Sequence, residues 1–123
     1  DSTDARTRYE LGLALLILEE TDAAKRELLA ALDGAPFHGA AHYNLGTILE
    51  REGDNRRDEE AYLAAIAHLE DPSPAHARLG ALLAREGNLE GARAHLAELV
   101  ARDPNGEATQ FLAEAVVAAE SAP

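Results

Sequence analysis

The stretch HYNLGTIL, residues 42–49, contains a Leu-Gly pair that returns once on each side of it at the same distance. The three pairs are 34 residues apart, at Leu11-Gly12, Leu45-Gly46 and Leu79-Gly80. A further leucine follows the leucine of each pair by four residues, at Leu15, Leu49 and Leu83. A period of this length is typical of helical repeat arrays in which each unit is one helical hairpin.

The composition favours helices and excludes several classes of function. The chain of 123 residues is rich in Ala, Leu, Glu and Arg, which are strong helix formers. Its net charge of −12 argues against nucleic acid as a partner, because phosphates require a basic surface. It has no Cys, so disulfides and thiolate metal sites are excluded. No apolar run is long enough to predict a membrane span.

Three consecutive units follow from the period, at residues 5–38, 39–72 and 73–106. In each unit the Leu-Gly pair and the following leucine fall on one stripe of a first helix, which faces a second helix. Glycine inside a helix costs roughly 1 kcal/mol relative to alanine. Its return in every unit therefore predicts a point of close contact between the two helices of each hairpin.

Local signals predict where the helices begin and where the units differ. Thr21, Asp54 and Asn88 are predicted N-caps of the three second helices. Asp58 occupies a position that is alanine in the other two units, which predicts a locally splayed second hairpin. Pro72 comes late in its unit and predicts a longer turn and a later start for the next helix.

The chain resembles the tetratricopeptide repeat (TPR) family over residues 5–106. The matching residues agree in register across the units and are the Leu-Gly pairs, Ala24, Ala92, Tyr62, Pro36, Pro104 and the turns Gly53-Asp54 and Gly87-Asn88. The resemblance implies an all-α, right-handed α-solenoid of three TPR hairpins. A capping helix over residues 106–120 makes seven helices in one domain, residues 1–123.

The resemblance also implies a function, which is to bind a protein or peptide partner in a concave groove lined by the first helices. Carried onto this sequence, the groove residues are Arg6, Tyr9, Leu13, Tyr43, Asn44, Thr47, Arg51, Arg78, Ala81 and Arg85, with Phe111 added by the last helix. The arginines give the groove a basic character within an acidic chain. They suit a partner carboxylate, because a guanidinium can hold one through two hydrogen bonds.

Some TPR proteins hold the C-terminal carboxylate of a peptide in a clamp of Lys, Asn, Asn, Lys and Arg. Asn44 and Arg78 match two of these positions, whereas Tyr9, Leu13 and Pro74 replace the other three. The sequence therefore disfavours a clamp of this kind.

The first helix has an unusual apolar run from Leu11 to Leu18, interrupted only by Gly12. A helix that is apolar on all sides is expected to be buried on all sides. Three interpretations remain open: an additional repeat before residue 1, an apolar helix of a partner, and self-association of two copies. The alternative function is accordingly a structural segment of a longer array or of a self-associating assembly.

The sequence does not predict catalysis or a cofactor, so we expect the chain not to be an enzyme. His38 and His42 have a spacing that can chelate a metal on a helix, but no third ligand has a suitable spacing. His42 and His76 recur at one repeat position, which favours a structural role, and no metal site is predicted. The compartment is left open.

Overall fold

The computed structural model describes residues 2–122 and the side chains of residues 4–122, and this part of the chain contains seven α-helices and no strand. The helices are α1 (Ser2–Ile17), α2 (Thr21–Gly34), α3 (Gly39–Arg51), α4 (Asn55–His68), α5 (Ser73–Arg85), α6 (Leu89–Arg102) and α7 (Glu107–Glu120). The all-α fold of three helical hairpins and a seventh helix is confirmed. The organisation as one domain stays a prediction, and the two end residues of that domain, Asp1 and Pro123, lie outside the described part.

Equivalent helices begin 34 residues apart, with α3, α5 and α7 starting at Gly39, Ser73 and Glu107. The predicted delay after Pro72 is therefore wrong. Pro72 is the N-cap of α5 with a φ of −81°, a value its ring readily adopts. The carboxylate of Asp71 accepts a hydrogen bond from the backbone N–H of Ser73 at 3.1 Å and so helps α5 to begin at Ser73.

Two of the three predicted N-caps are confirmed. Asp54 accepts a hydrogen bond from the backbone N–H of Arg57 at 3.3 Å, and Asn88 accepts one from that of Gly91 at 2.9 Å. Thr21 is instead the first residue of α2, after Glu20, and this helix has no side-chain cap. The first hairpin therefore begins its second helix without the hydrogen bond that the other two have.

The turn within each hairpin uses a left-handed backbone conformation at the same repeat position. Gly53 and Gly87 have φ values of 77° and 86°, which glycine adopts without steric cost. The equivalent residue of the first hairpin is Glu19, with a φ of 61°. A side chain in this conformation costs roughly 1–2 kcal/mol, so the first turn is strained where the others are relaxed.

The helices divide into two compact units, one containing α1 to α4 and the other α5 to α7. In the first unit, a Cβ atom added at Gly12 would lie 3.1 Å from the side chain of Leu28 on α2. One added at Gly46 would lie 2.7 Å from the ring of Tyr62 on α4. The glycines therefore mark points of close contact within these two hairpins, as predicted. Asp58 is fully buried, so its hairpin is not splayed open to expose the carboxylate.

The second unit has a core of leucines from all three of its helices: Leu79, Leu99 and Leu112. A Cβ atom at Gly80 would lie 2.5 Å from the side chain of Leu112 on α7. The closest approach at the third Leu-Gly pair is therefore to the seventh helix, whereas the sequence predicts contact with the second helix of its own hairpin. The reason is that α7 packs against α5, so its leucine lies directly over the glycine.

Within residues 2–122, no helix combines the length and the apolar character needed to cross a membrane.

Candidate functional site

The structure brings together predicted groove residues of α1 and α3. The side-chain amide of Asn44 donates a hydrogen bond to the hydroxyl oxygen of Tyr9 at 3.4 Å and another to the backbone carbonyl of Ala40 at 2.9 Å. These two bonds use both N–H groups of the amide. They hold the Asn44 side chain in one orientation beside Tyr9, so two residues separated by one full repeat form a single polar surface.

Tyr9 is held by a second contact, which is with the ring of His38. The centroid of the Tyr9 ring is 4.4 Å from that of His38, the residue whose Nδ1 accepts a hydrogen bond from the backbone N–H of Ala41 and caps α3. Burial raises the pKa of the Tyr9 hydroxyl, and the hydrogen bond from Asn44 opposes this effect in part. The phenol therefore stays protonated at neutral pH and has its own O–H available as a donor.

Thr47 and Tyr43 extend this surface along α3. The hydroxyl of Thr47 donates to the backbone carbonyl of Asn44 at 2.8 Å, which fixes its oxygen on the same helix face. The ring of Tyr43 is half-buried, with its centroid 6.0 Å from that of Tyr62. Both side chains are thus preorganised by contacts within the first unit, so they would lose less conformational entropy when a segment binds.

The remaining predicted residues of the first unit differ in accessibility. Leu13 is half-buried, whereas Arg51 is exposed at the end of α3. Arg6 is exposed and forms an ion pair with Glu10, one turn further along α1, at 3.1 Å. A pair this exposed contributes only about 0–1 kcal/mol, so the Arg6 side chain is held only weakly by Glu10.

In the second unit, Ala81 and Arg85 line an open hollow of about 540 Å³ together with Phe111 of α7. Most of its other lining residues are alanines, so the hollow is apolar with one cation at its edge. The ring of Phe111 is 51% exposed, which makes it a contact available to an apolar group. Arg78 is also exposed, one helical turn before Leu82 and two turns before Arg85 on α5.

Among the residues that the structure describes, no group of three or more His, Cys, Asp or Glu side chains is placed to hold a metal ion. His42 lies 2.8 Å from the backbone carbonyl of Pro36 through its Nε2 atom, a structural contact at the turn.

His76 and His95 form a hydrogen-bonded pair across α5 and α6, with their Nδ1 atoms 2.9 Å apart. One ring donates its N–H and the other accepts it. Burial lowers the pKa of His76 below its ordinary value of 6.5, and the positive charges of His95 and Arg102 lower it further, whereas Glu98 raises it. His76 is therefore uncharged at neutral pH, and the hydrogen bond between the two rings joins α5 to α6.

Sequence reasoning missed a second cavity, of about 380 Å³, between α2, α3 and α4. The signal for it was present in Ala61 and Ala64, two small residues one turn apart on α4, which face leucines of α2 and α3 across the gap. Small residues at such positions were equally compatible with close packing of the helices, so the sequence alone did not distinguish a cavity from a tight seam.

Known structures share this fold along almost the whole chain. The first TPR domain of Spaghetti (RPAP3), solved with the HSP90 peptide SRMEEVD, has a TM-score of 0.83 and 23% identity and covers 98% of this chain and 97% of its own. The type III secretion translocator chaperone SycD of Yersinia enterocolitica has a TM-score of 0.81 and 16% identity, covering 98% of this chain and 86% of its own.

A tetratricopeptide repeat protein from Parabacteroides merdae has a TM-score of 0.85 and 12% identity and covers 94% of this chain, which spans 45% of that protein. At these identities the likeness concerns the fold. A search of curated proteins gave no match. The profile of the tetratricopeptide repeat family, however, matches residues 9–77, more than half of the chain. Together with the three hairpins and their 34-residue period, this match shows that the chain belongs to the tetratricopeptide repeat family.

Proposed function

We propose that the chain is a protein-interaction module that binds a peptide segment along the predicted groove residues of α1 and α3. Domains of this family are in general non-catalytic modules for protein interaction, and the RPAP3 domain with the same fold was solved with a bound peptide. The observation that carries the proposal is the hydrogen bond from Asn44 to Tyr9, which joins groove residues of two repeats into one polar surface.

Asn44 suits an extended backbone because of how its amide is oriented. Both of its N–H groups are used within the unit, so its carbonyl oxygen is the atom presented to a ligand. A peptide N–H can donate to that oxygen whatever side chain it carries. Recognition through Asn44 is therefore tolerant of sequence, and specificity falls to the neighbouring side chains, which are Tyr9, Tyr43 and Arg51.

The partner segment should carry an acidic side chain or a terminal carboxylate. Arg51 is exposed at the end of α3, and Arg6 is exposed on α1 in a weak surface pair. The chain as a whole has a net charge of −12 and would repel a strongly acidic partner. A segment with one or two acidic groups among apolar ones fits both conditions.

A random peptide library tests the proposal, with isothermal titration calorimetry on the selected peptide. We expect Asn44→Ala and Arg51→Glu each to weaken binding about tenfold or more, the effect of losing roughly 1.4 kcal/mol. The matched controls are Asn55→Ala and Arg56→Glu, which alter exposed residues of α4. The proposal would be wrong if no peptide bound more tightly than about 100 μM, or if controls and groove variants behaved alike.

The HSP90 peptide SRMEEVD is a useful comparison ligand. Of the five clamp positions, this sequence has a matching residue only at Asn44 and Arg78, and Tyr9, Leu13 and Pro74 carry no positive charge at the others. We expect this peptide to bind more weakly than a library-selected one. Tight binding that depended on its terminal carboxylate would show that our argument from the clamp residues is mistaken.

Self-association is a second candidate, favoured by exposed apolar residues on α1 and directly after its end. Leu11 is 47% exposed and Leu18 is 70% exposed, and Ala14 between them completes an apolar stripe. Sedimentation velocity over a range of concentrations tests this candidate. Leu18→Glu should abolish a dimer that Leu63→Glu, at an exposed leucine of α4, leaves intact. A strict monomer at the highest concentration would eliminate it.

A further inference from the structure

The cavity of about 380 Å³ between α2, α3 and α4 lies away from the predicted groove. Its lining residues on α3 are His42, Leu45 and Leu49, which recur at intervals of three and four residues and so share one face. At 100° per residue, Asn44 and Thr47 fall on the opposite face of the same helix. The cavity and the groove residues are therefore separate surfaces, and a ligand in one leaves the other open.

The cavity has the composition of a small-molecule site. Its volume of about 380 Å³ falls in the lower part of the range of 300–1,000 Å³ that is typical of ligand pockets. Most of its lining residues are apolar and come from three helices: Leu29, Leu32, Leu45, Leu49, Ala61 and Ala64. Leu29 is 48% exposed, which leaves the apolar interior open to solvent.

The charged lining residues are concentrated at one end. Lys25 and Arg57 lie near the beginnings of α2 and α4, and in successive antiparallel hairpins these ends fall together beside the end of α3. The Nζ atom of Lys25 is 2.7 Å from Glu52, the C-cap of α3, and Arg57 is 3.7 Å from Asp54 in the adjoining turn. These contacts confirm that both cations are at the same end.

Arg57 is the cation of the lining that an anion can reach most easily. Lys25 and Arg57 are each paired with a carboxylate outside the lining, Glu52 and Asp54, and Glu60 adds a negative charge, so a ligand carboxylate has to compete with one of these pairs. The Arg57–Asp54 pair is long, and the Arg57 side chain is 70% exposed, so the pair is weak enough for a ligand to compete with it. The opposite end of the lining, near His42 and Ala64, has no Lys or Arg.

We propose that this cavity binds a small apolar monocarboxylate, with its hydrocarbon body on the leucines of α2 and α3 and its carboxylate at Arg57 and Lys25. An apolar body gains free energy from the area that it removes from water. The carboxylate end is oriented by the two cations, so the ligand enters in one direction. The ligand is a free organic acid, and the site is independent of peptide binding.

Decanoate is a suitable probe, and decyltrimethylammonium is its control, because the two share a tail and differ in the sign of the head group. Each is titrated below its micelle-forming concentration into ¹⁵N-labelled protein and followed by amide chemical shifts. The net charge of −12 favours the cation everywhere on the surface. A preference for decanoate with shifts centred on Leu29, Leu45 and Ala64 is therefore attributable to the cavity.

Two matched pairs of variants complete the test. Arg57→Glu should weaken decanoate binding about tenfold or more, whereas Arg26→Glu, at an exposed arginine of α2 outside the cavity lining, should not. Ala64→Phe should fill the cavity and abolish the shifts, whereas Ala67→Phe, on the exposed side of α4, should leave them unchanged. Thermal unfolding of each variant checks that it remains folded.

Three results would overturn the proposal. The first is the absence of saturable shifts up to about 5 mM decanoate. The second is equal or tighter binding of decyltrimethylammonium at the same amides. The third is a set of decanoate shifts around Phe111 or Leu18 that is insensitive to Arg57→Glu. Because none of these measurements involves a peptide, their failure would leave the proposed function untouched.

Discussion

Replacing Gly46 with alanine places a methyl group where two helices of the second hairpin meet. The added Cβ atom would lie 2.7 Å from Cε1 and 2.8 Å from Cδ1 of Tyr62. Favourable contacts between carbon atoms have separations of about 3.5–4.0 Å. The ring is fully buried, and its hydroxyl donates a hydrogen bond to Glu50 at 2.7 Å, so it has little freedom to move aside.

Two opposing effects decide the size of the change. Alanine in place of glycine inside a helix stabilises by up to about 1 kcal/mol. Overpacking of a rigid core typically destabilises by about 1–3 kcal/mol. For Gly46→Ala the second effect should prevail, with a net loss of about 1–2 kcal/mol in the free energy of unfolding. For Gly12→Ala the nearest atoms, at 3.1 Å, belong to a leucine side chain, and the net change should be close to zero.

Urea unfolding followed by circular dichroism measures both variants, and a double-mutant cycle assigns the cause. Tyr62→Leu introduces the residue that the first hairpin has at Leu28. In that background the cost of Gly46→Ala should fall by about 1 kcal/mol or more, because residues in contact are energetically coupled. If Gly46→Ala instead stabilised the protein by about 1 kcal/mol, as the same substitution does at an exposed position inside a helix, the close contact would not exist.

Two further predictions concern the first turn and the histidine pair. Glu19→Gly should raise the free energy of unfolding by about 0.5–1 kcal/mol, because it relieves the strain of the left-handed conformation. Glu20→Gly, at the neighbouring residue, should not raise it. Urea unfolding of both variants measures the difference, and equal effects would refute the argument. Burial lowers the pKa of His76, so the unfolded chain binds a proton more readily than the folded one below the ordinary pKa of 6.5. Stability should therefore be retained above pH 6.5 and fall as the pH decreases from there, because protonating His76 costs more in the folded chain than in the unfolded one. His76→Gln should lose stability less steeply over the same pH range in thermal unfolding, and an identical slope would contradict this assignment.

The repeat period predicted the fold because each unit packs two helices together through residues at the same repeat positions. Asp54 and Asn88 each cap a helix through a backbone N–H three residues further along the chain. Gly12 and Gly46 contact the other helix of their own hairpin, so the roles of these four residues could be inferred from spacing. The exceptions depend on neighbours distant in sequence. Gly80 meets Leu112 of α7 because of how the seventh helix packs, which no local pattern specifies.

The sequence predicted which residues belong to the candidate site better than it predicted how their side chains are arranged. The family pattern placed Tyr9 and Asn44 on the first helices, but their hydrogen bond depends on side-chain orientations that follow from packing. The cavity beside Ala61 and Ala64 was not predicted, because small residues indicate close packing and empty space equally well. Asp58 shows the same limit: its position suggested a splayed hairpin, and the structure buries it.

The most direct test of the central claim is to map where a library-selected peptide binds by amide chemical shifts. We predict that in the first unit the shifts are largest at Tyr9, Asn44 and Thr47 and that Asn44→Ala removes them. Shifts confined to α2 and α4, with those three residues unaffected, would contradict the assignment of the binding face.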